Sequence, residues 1–264
     1  MDDFTGRVAQ AADLVKGATR LVAFTGAGIS TDSGISDFRS PGGVWDRYRI
    51  VTFQEFLSSR EARVEYWSMK RDLFREMKHA VPNRAHRALA DLERAGRLRC
   101  LITQNIDGLH QDGGSREVIE LHGTNRKAHC LKCGKTWPIE EIQALLEAGN
   151  LDPACDACGS LVKPATISFG QSMPEGELMR ASRFAAGSDV LLMIGSSLQV
   201  EPAASIPREA HRAGAKLIFI NRTETPWDHL ATVVFREGAG EVLEAIVGMA
   251  GRGLSSGQGE DHHR

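Results

Sequence analysis

Four of the five cysteines in this 264-residue chain stand in two identical pairs, Cys130-x2-Cys133 and Cys155-x2-Cys158, separated by twenty-one residues. Each pair can clamp one side of a tetrahedral ion, and four thiolates close its shell. Such a chain is expected to fold residues 125–163 as a small module around one zinc. A closed shell leaves no position for substrate, so the metal is structural. Gly134 and Gly159 follow the second cysteine of each pair, where a tight turn is useful. His129 adjoins Cys130, but the shell is complete without it. Cys100, in the apolar stretch 98–102, is expected to be an inert core thiol. Paired cysteines of this kind favour metal over disulfide in a reducing compartment, which points to the cytoplasm.

On both sides of the module, strand-like and helix-like stretches alternate. Strands are expected at 20–25, 98–104, 117–121, 165–169, 189–194, 216–220 and 231–235. Helices are expected at 8–16, 60–78, 83–95, 138–148, 175–186, 203–213 and 239–249, and residues 36–50 read as a long loop. This rhythm predicts an α/β fold: a doubly wound, Rossmann-like parallel sheet with the zinc module inserted. The large domain would comprise 1–124 and 164–250, a helical part at about 36–80 included, with a disordered tail at 251–264. The net charge of −2 gives no long-range attraction to nucleic acid or anionic membrane. The N-terminus does not read as a signal peptide, and apolar runs such as 190–194 are too short to span a bilayer. Nothing in the sequence fixes the oligomeric state, and a monomer suffices.

Polar and glycine-rich motifs fall where such a sheet binds ligands, after its strands. Gly26-Ala27-Gly28 follows the first strand, but the third glycine of the usual dinucleotide fingerprint is replaced by Thr31. Gln104-Asn105-Ile106-Asp107 follows another, where a capped turn would serve equally well as an explanation. His122-Gly123, Gly195-Ser196-Ser197-Leu198 and Asn221 follow others, and each is unremarkable alone.

In this order the motifs resemble the sirtuin family, from about Val22 to about Val247. The carrying residues are Gly26-Ala27-Gly28-Ile29-Ser30, Ser33-Gly34-Ile35, Asp37-Phe38-Arg39, Gln104 to Asp107, His122-Gly123, the four cysteines, Phe169-Gly170, Gly195 to Leu198 and Asn221. Ser36 stands where the family usually has proline, and Gln171 where many members have an acidic residue.

The resemblance implies an NAD-dependent protein-lysine deacylase, acetyl preferred, acting on acyl-lysine proteins or peptides. The acyl oxygen would attack the ribose carbon bearing nicotinamide, and nicotinamide would leave. His122 would then act as base on the ribose hydroxyls. Asn105 and Asp107 complete the implied catalytic set, with Asp107 gripping the carboxamide. Ala27, Thr31 and Arg39 would hold the phosphates, beside Gly26, Gly28, Asp37 and Ile106. Phe38 would cover the ribose, and Gln104 and Asn105 would orient it. Gly195, Ser196, Ser197, Asn221 and Ala239 would meet the adenosine half. Ile167 would line the acyl-lysine tunnel, and the peptide would add as a strand between Phe169–Gln171, with Gly170, and Leu198–Val200.

Mono-ADP-ribosyl transfer from the same NAD site is the alternative chemistry. A nucleic-acid-binding ribbon is disfavoured, because five basic residues at 125–163 (Arg126, Lys127, Lys132, Lys135, Lys163) are matched by five acidic ones (Glu140, Glu141, Glu147, Asp152, Asp156). In the desuccinylase branch a tyrosine and an arginine three positions apart read a distal carboxylate. Here the pairs at that spacing are Tyr66 with Met69 and Trp67 with Lys70. Neutral acyl groups are therefore expected to be preferred, with Trp67 and Met69 as a candidate apolar lining.

Overall fold

In the computed structural model, which describes residues 3–252, six parallel strands form the central sheet in the order β3-β2-β1-β7-β8-β9. They are β1 (Leu21–Thr25), β2 (Leu98–Thr103), β3 (Val118–Glu120), β7 (Val190–Ile194), β8 (Lys216–Ile220) and β9 (Val233–Phe235). Their two-residue period sorts side chains to two cores. Leu21 and Ala23 face one side with Leu192, Ile194, Ile218 and Ile220. Val22 and Phe24 face the other with Leu191, Met193, Leu217 and Phe219. Strands buried on both faces read as continuous apolar runs, which is why β7 and β8 lack polar alternation.

Helices α1 (Asp3–Gly17), α5 (Arg84–Arg94) and α10 (Ala239–Arg252) cover the first face with residues such as Val8, Leu89 and Leu243. Helices α8 (Glu175–Ala186) and α9 (Ile206–Arg212) cover the second with Ala181, Ala185, Ile206 and Ala210. Chain order reverses between β1 and β7, since connections run one way to β2 and β3 and the other way to β8 and β9. At that switch point the loops leaving the strands diverge and open a crevice. The expected tail at 251–264 falls outside the described residues from 253 onward.

The second sheet is antiparallel, in the order β5-β4-β6: β4 (Gly123–Cys130), β5 (Thr136–Pro138) and β6 (Val162–Thr166). This corrects the expectation of a strand at 165–169 resuming the parallel sheet. The strand lies earlier and pairs with β4 instead. The cause is the metal module, whose two cysteine turns bring residues 123–130 and 162–166 side by side. Helix α7 (Ile139–Glu147) packs Ile139, Ile142 and Leu146 under this sheet.

The stretch between β1 and α5 carries three α-helices: α2 (Val44–Arg47), a short turn that corrects the expectation of loop throughout 36–50, α3 (Phe53–Ser58) and α4 (Arg60–Lys78). Helix α3 starts with a capping box, Thr52 and Glu55 satisfying each other's free N–H groups. Helix α4 has two working faces. Tyr66, Met69 and Leu73, at i, i+3 and i+7, pack with Val51 and Phe56. Trp67 and Phe74 turn instead toward the zinc module. Trp67 is thus no acyl-tunnel lining, although Met69 does reach the cleft. Arg63, on the same helix, grips Asp152 of the module through Nε and Nη2 at 2.8 and 2.9 Å. The side chains of both partners are mostly buried, which makes this one of the few ion pairs here worth more than a surface contact.

Candidate active site

A cleft of about 1250 Å³ opens where β1 and β7 part. Its phosphate end is shaped by glycines. A Cβ on Gly28 would meet Gly195 Cα at 2.8 Å, and one on Gly195 (φ +63°) would meet the Ile29 nitrogen at 2.4 Å. The two turns can pack back to back only without side chains, which leaves backbone open to a bound pyrophosphate. The exposed Arg39 also lines this end. Partial desolvation lowers its pKa and the neighbouring Asp37 opposes this, and a bound anion would favour the charged form. This chemistry fits a dinucleotide.

Of the cofactor residues expected from sequence, Gly26, Ala27, Gly28, Thr31, Asp37, Phe38, Arg39, Gln104, Asn105, Ile106, Gly195, Ser196, Ser197, Asn221 and Ala239 all line the cleft. Gln104 Nε2 donates to Ser196 Oγ at 2.7 Å, tying the β2 loop to the β7 loop. Ile167, Phe169, Gly170 and Val200 line the other end.

Two expected residues are placed elsewhere. Asp107 lies one layer below the cleft wall: Ser30 Oγ donates to its Oδ2 at 2.8 Å and the Leu109 N–H to its Oδ1 at 2.9 Å. Asn105 Nδ2 donates to the same Ser30 hydroxyl at 3.1 Å. Asp107 therefore supports Ser30 and Asn105 from beneath instead of presenting itself at the wall. Leu198 takes φ +53° and turns its side chain into the core.

Below this floor, the His86 and His110 rings meet at a tilt of 58° with centroids 4.8 Å apart. His86 Nε2 lies 3.4 Å from Ser30 Oγ, and His110 Nε2 lies 2.9 Å from Thr25 Oγ1. Burial takes His86 down to about 4 and pushes His110 down as well.

His122, at the junction of β3 and β4, lines the cleft. Its Nδ1 lies 2.9 Å from the Gln104 carbonyl oxygen. A carbonyl only accepts, so Nδ1 carries the proton and Nε2 is the basic nitrogen. Burial lowers the imidazole pKa, Arg39 pushes the same way, and the Gln104 bond opposes both. The ring is therefore neutral at neutral pH. If it is the base, kcat/KM stays level at neutral pH and falls only as acid protonates the ring, at a pH below 6.5. A pH profile measures this, and an acidic limb centred above 7 would count against His122.

Trp45, which lines the cleft, lay in a stretch read only as loop. Tyr66 and Lys70 line it too, and the sequence had singled them out only as members of the spaced pairs bearing on acyl choice, with Leu73 only an apolar position of its helix. Tyr66 is buried, with the Lys70 and Lys163 ammonium groups 5.5 and 5.6 Å from its ring centre. Burial pushes its hydroxyl up, but the two charges and two hydroxyl partners bring it to about 8.

In the small module the four cysteine sulfurs lie within 4.8 Å of one another. Cys130–Cys158 and Cys133–Cys155 are 3.4 and 3.6 Å apart. A tetrahedral zinc with Zn–S of about 2.3 Å requires edges of about 3.8 Å, so the cage fits the ion. The Lys132 and Cys133 N–H groups each point at Cys130 Sγ from 3.4 Å, which favours thiolate. Cys100 is buried in the sheet and its thiol is pushed up to about 12, as suits an inert group.

The Sir2 family model matches residues 26–202. This chain belongs to the Sir2 family. An NAD-dependent protein deacetylase of Thermodesulfovibrio yellowstonii is 54% identical over 241 residues, 91% of this chain and 94% of that protein. The NAD-dependent protein deacetylase 1 of Bradyrhizobium diazoefficiens is 46% identical over 248 residues, covering 93% and 97%. Among solved structures, a Sir2 complex with a p53 peptide and NAD+ aligns with TM-score 0.80 at 36% identity, over 94% of this chain and 97% of that one. A Sir2 homologue bound to ADP-ribose aligns with TM-score 0.86 at 36% identity, over 99% and 100%. Among the described residues no helix is long and apolar enough to cross a membrane.

Proposed function

We infer that this Sir2 protein is an NAD-dependent protein-lysine deacylase, acting first on acetyl-lysine. The observation that carries this is His122, a neutral imidazole in the wall of a dinucleotide-sized cleft with its Nδ1 proton committed to Gln104. NAD is consumed as cosubstrate. Its phosphates lie against Ala27, Thr31 and Arg39, and its adenosine half against Ser196, Ser197, Asn221 and Ala239. Gln104 and Asn105 orient the ribose, and Phe38 covers it against water. The acyl-lysine enters past Ile167, whose N–H donates to the His122 carbonyl at 2.9 Å, so base and tunnel wall are held in register. Its backbone adds as a strand between Phe169–Gln171 and residues 198–200. His122 Nε2 takes the proton from the ribose hydroxyl that attacks the acyl carbon, and water then releases lysine and O-acyl-ADP-ribose. Mono-ADP-ribosyl transfer to protein is not favoured, since the relatives named above are deacetylases. The same reading puts the chain in the reducing cytoplasm, where its thiolates stay open to zinc. Incubation with NAD and a panel of acyl-lysine peptides should yield acylated ADP-ribose by mass spectrometry. Its absence with every peptide would overturn the assignment.

Acyl choice follows from the cleft end lined by Tyr66, Met69, Lys70 and Leu73. Lys70 is buried there with its ammonium beside the Tyr66 ring. A single ammonium can meet a distal carboxylate but cannot fork it as a guanidinium does. Catalytic efficiency on one peptide is expected to be higher for acetyl- than for succinyl-lysine. The reverse order would make Lys70 a carboxylate reader.

A further inference from the structure

Phe38, Trp45 and Phe169 form a chain of rings across the cleft. The Phe38 and Trp45 centroids are 5.2 Å apart and those of Trp45 and Phe169 are 5.8 Å apart. Among the described residues, Trp45 is the ring that touches both of the others. The two ends belong to different ligands. Phe38 sits in the cofactor loop, beside Arg39. Phe169 sits on the acyl-peptide side, where its carbonyl accepts from the Phe53 N–H at 2.8 Å and the Gly170 carbonyl accepts from Gln54 Nε2 at 3.3 Å.

The loop is folded so that Trp45 must move with Phe38. The Val44 N–H donates to the Asp37 carbonyl at 2.9 Å and the Trp45 N–H to the Phe38 carbonyl at 3.1 Å. Gly43 makes this possible, because a Cβ there would meet the Asp37 and Ser40 carbonyl oxygens at 2.8 Å. Phe169 is 39% exposed, a large ring with little of its own packing. A peptide strand laid along residues 169–171 would cover it and press it against Trp45.

We propose that Trp45 is a positioning residue that couples acyl-lysine occupancy to the seating of Phe38 over the ribose, so that the ribose is shielded from water while the acyl oxygen attacks it. This rests on the deacylase assignment. Once the bond to nicotinamide breaks, the ribose carbon has two possible acceptors. If the acyl oxygen bonds to it, the route leads to O-acyl-ADP-ribose. If water bonds to it and loses a proton to solvent, free ADP-ribose forms and the acyl-lysine is untouched. A well-seated Phe38 selects the first outcome. Edge and offset ring contacts are directional, so another bulky apolar residue would fill the space without holding the ring in place.

The test is the ratio of free ADP-ribose to O-acyl-ADP-ribose formed with a saturating acetyl-lysine peptide, with hydrolysis of the ester during the assay subtracted. Trp45→Ala and Trp45→Leu are each expected to raise the ratio, by on the order of tenfold or more, since misplacement of a positioning group costs rate at this scale. Trp45→Phe, which keeps a ring between the other two, should return it toward the unsubstituted value. Phe169→Leu should raise it from the other end. A merely structural role predicts something different: both products fall together with the ratio unchanged. That result in Trp45→Leu, or failure of Trp45→Phe to restore the ratio that Trp45→Leu disturbs, would overturn the proposal. Absence of acyl ester from the unsubstituted protein would instead overturn the deacylase assignment itself.

Discussion

His122→Ala is expected to lower deacylation by about a hundred- to ten-thousandfold, the range typical for loss of a general base. The ring's neutrality and fixed tautomer are what make it a base, and alanine supplies neither. The cleft glycines, Arg39 and the residues proposed to meet the adenosine do not depend on the imidazole, so NAD should still bind and the fold should persist. Nicotinamide release precedes the step assigned to His122, so exchange of labelled nicotinamide into NAD should survive while acyl transfer fails. Parallel assays of exchange and deacylation, with a melting curve as a check on folding, separate these effects. Near-normal deacylation in His122→Ala would remove His122 from the mechanism.

Loss of the metal is the second large effect. Structural zinc sites hold on the order of 10 kcal/mol of apparent binding free energy, and small modules depend on it for folding. Here β4 and β6 run from the cysteine cage directly to Gly123 and Thr166, the neighbours of His122 and Ile167. The cage therefore anchors both the proposed base and the proposed tunnel wall. Cys155→Ser should lose most of the bound zinc, melt at lower temperature and lose most of its activity without any direct role in chemistry. Metal analysis should find one zinc per chain in active protein. Fully active, normally melting protein that contains no zinc, or a disulfide joining the cysteine pairs, would rule this out.

Much of this was legible in the sequence because local chemistry dictated it. The apolar runs of β1, β7 and β8 have to be buried on both faces, and the paired cysteines have to meet. The motifs after the strands converge because parallel strands deliver all their C-terminal ends to one edge. What was not legible depended on tertiary pairing. Strand β4, with Asn, Arg, Lys and His among its residues, has no alternating apolar pattern, and it is a strand through its pairing with β5 and β6. The same pairing draws β6 away from the position expected for it. The inward turn of Asp107 depends on Ser30, more than seventy positions away in the chain. Trp45 is one aromatic in a glycine- and proline-rich loop, and its partners become visible only when that loop folds back on itself.

The paired rings of His86 and His110 set a limit of another kind. In an unfolded chain each would titrate near 6.5. In the folded protein both remain uncharged well below that, His86 until about 4. The pair's contribution to stability is thus complete above 6.5 and drains away as the pH drops toward about 4. Unfolding in that interval takes up protons that the native state refuses. These rings sit against Ser30 and Thr25 and close to Asp107, beneath the wall proposed to hold the nucleotide. Acid is therefore expected to weaken the floor of the proposed NAD site first. On the proposed NAD site, the lower pH bound on holding NAD would be set by two side chains outside the cleft lining, and it can differ from the bound that His122 sets on turnover.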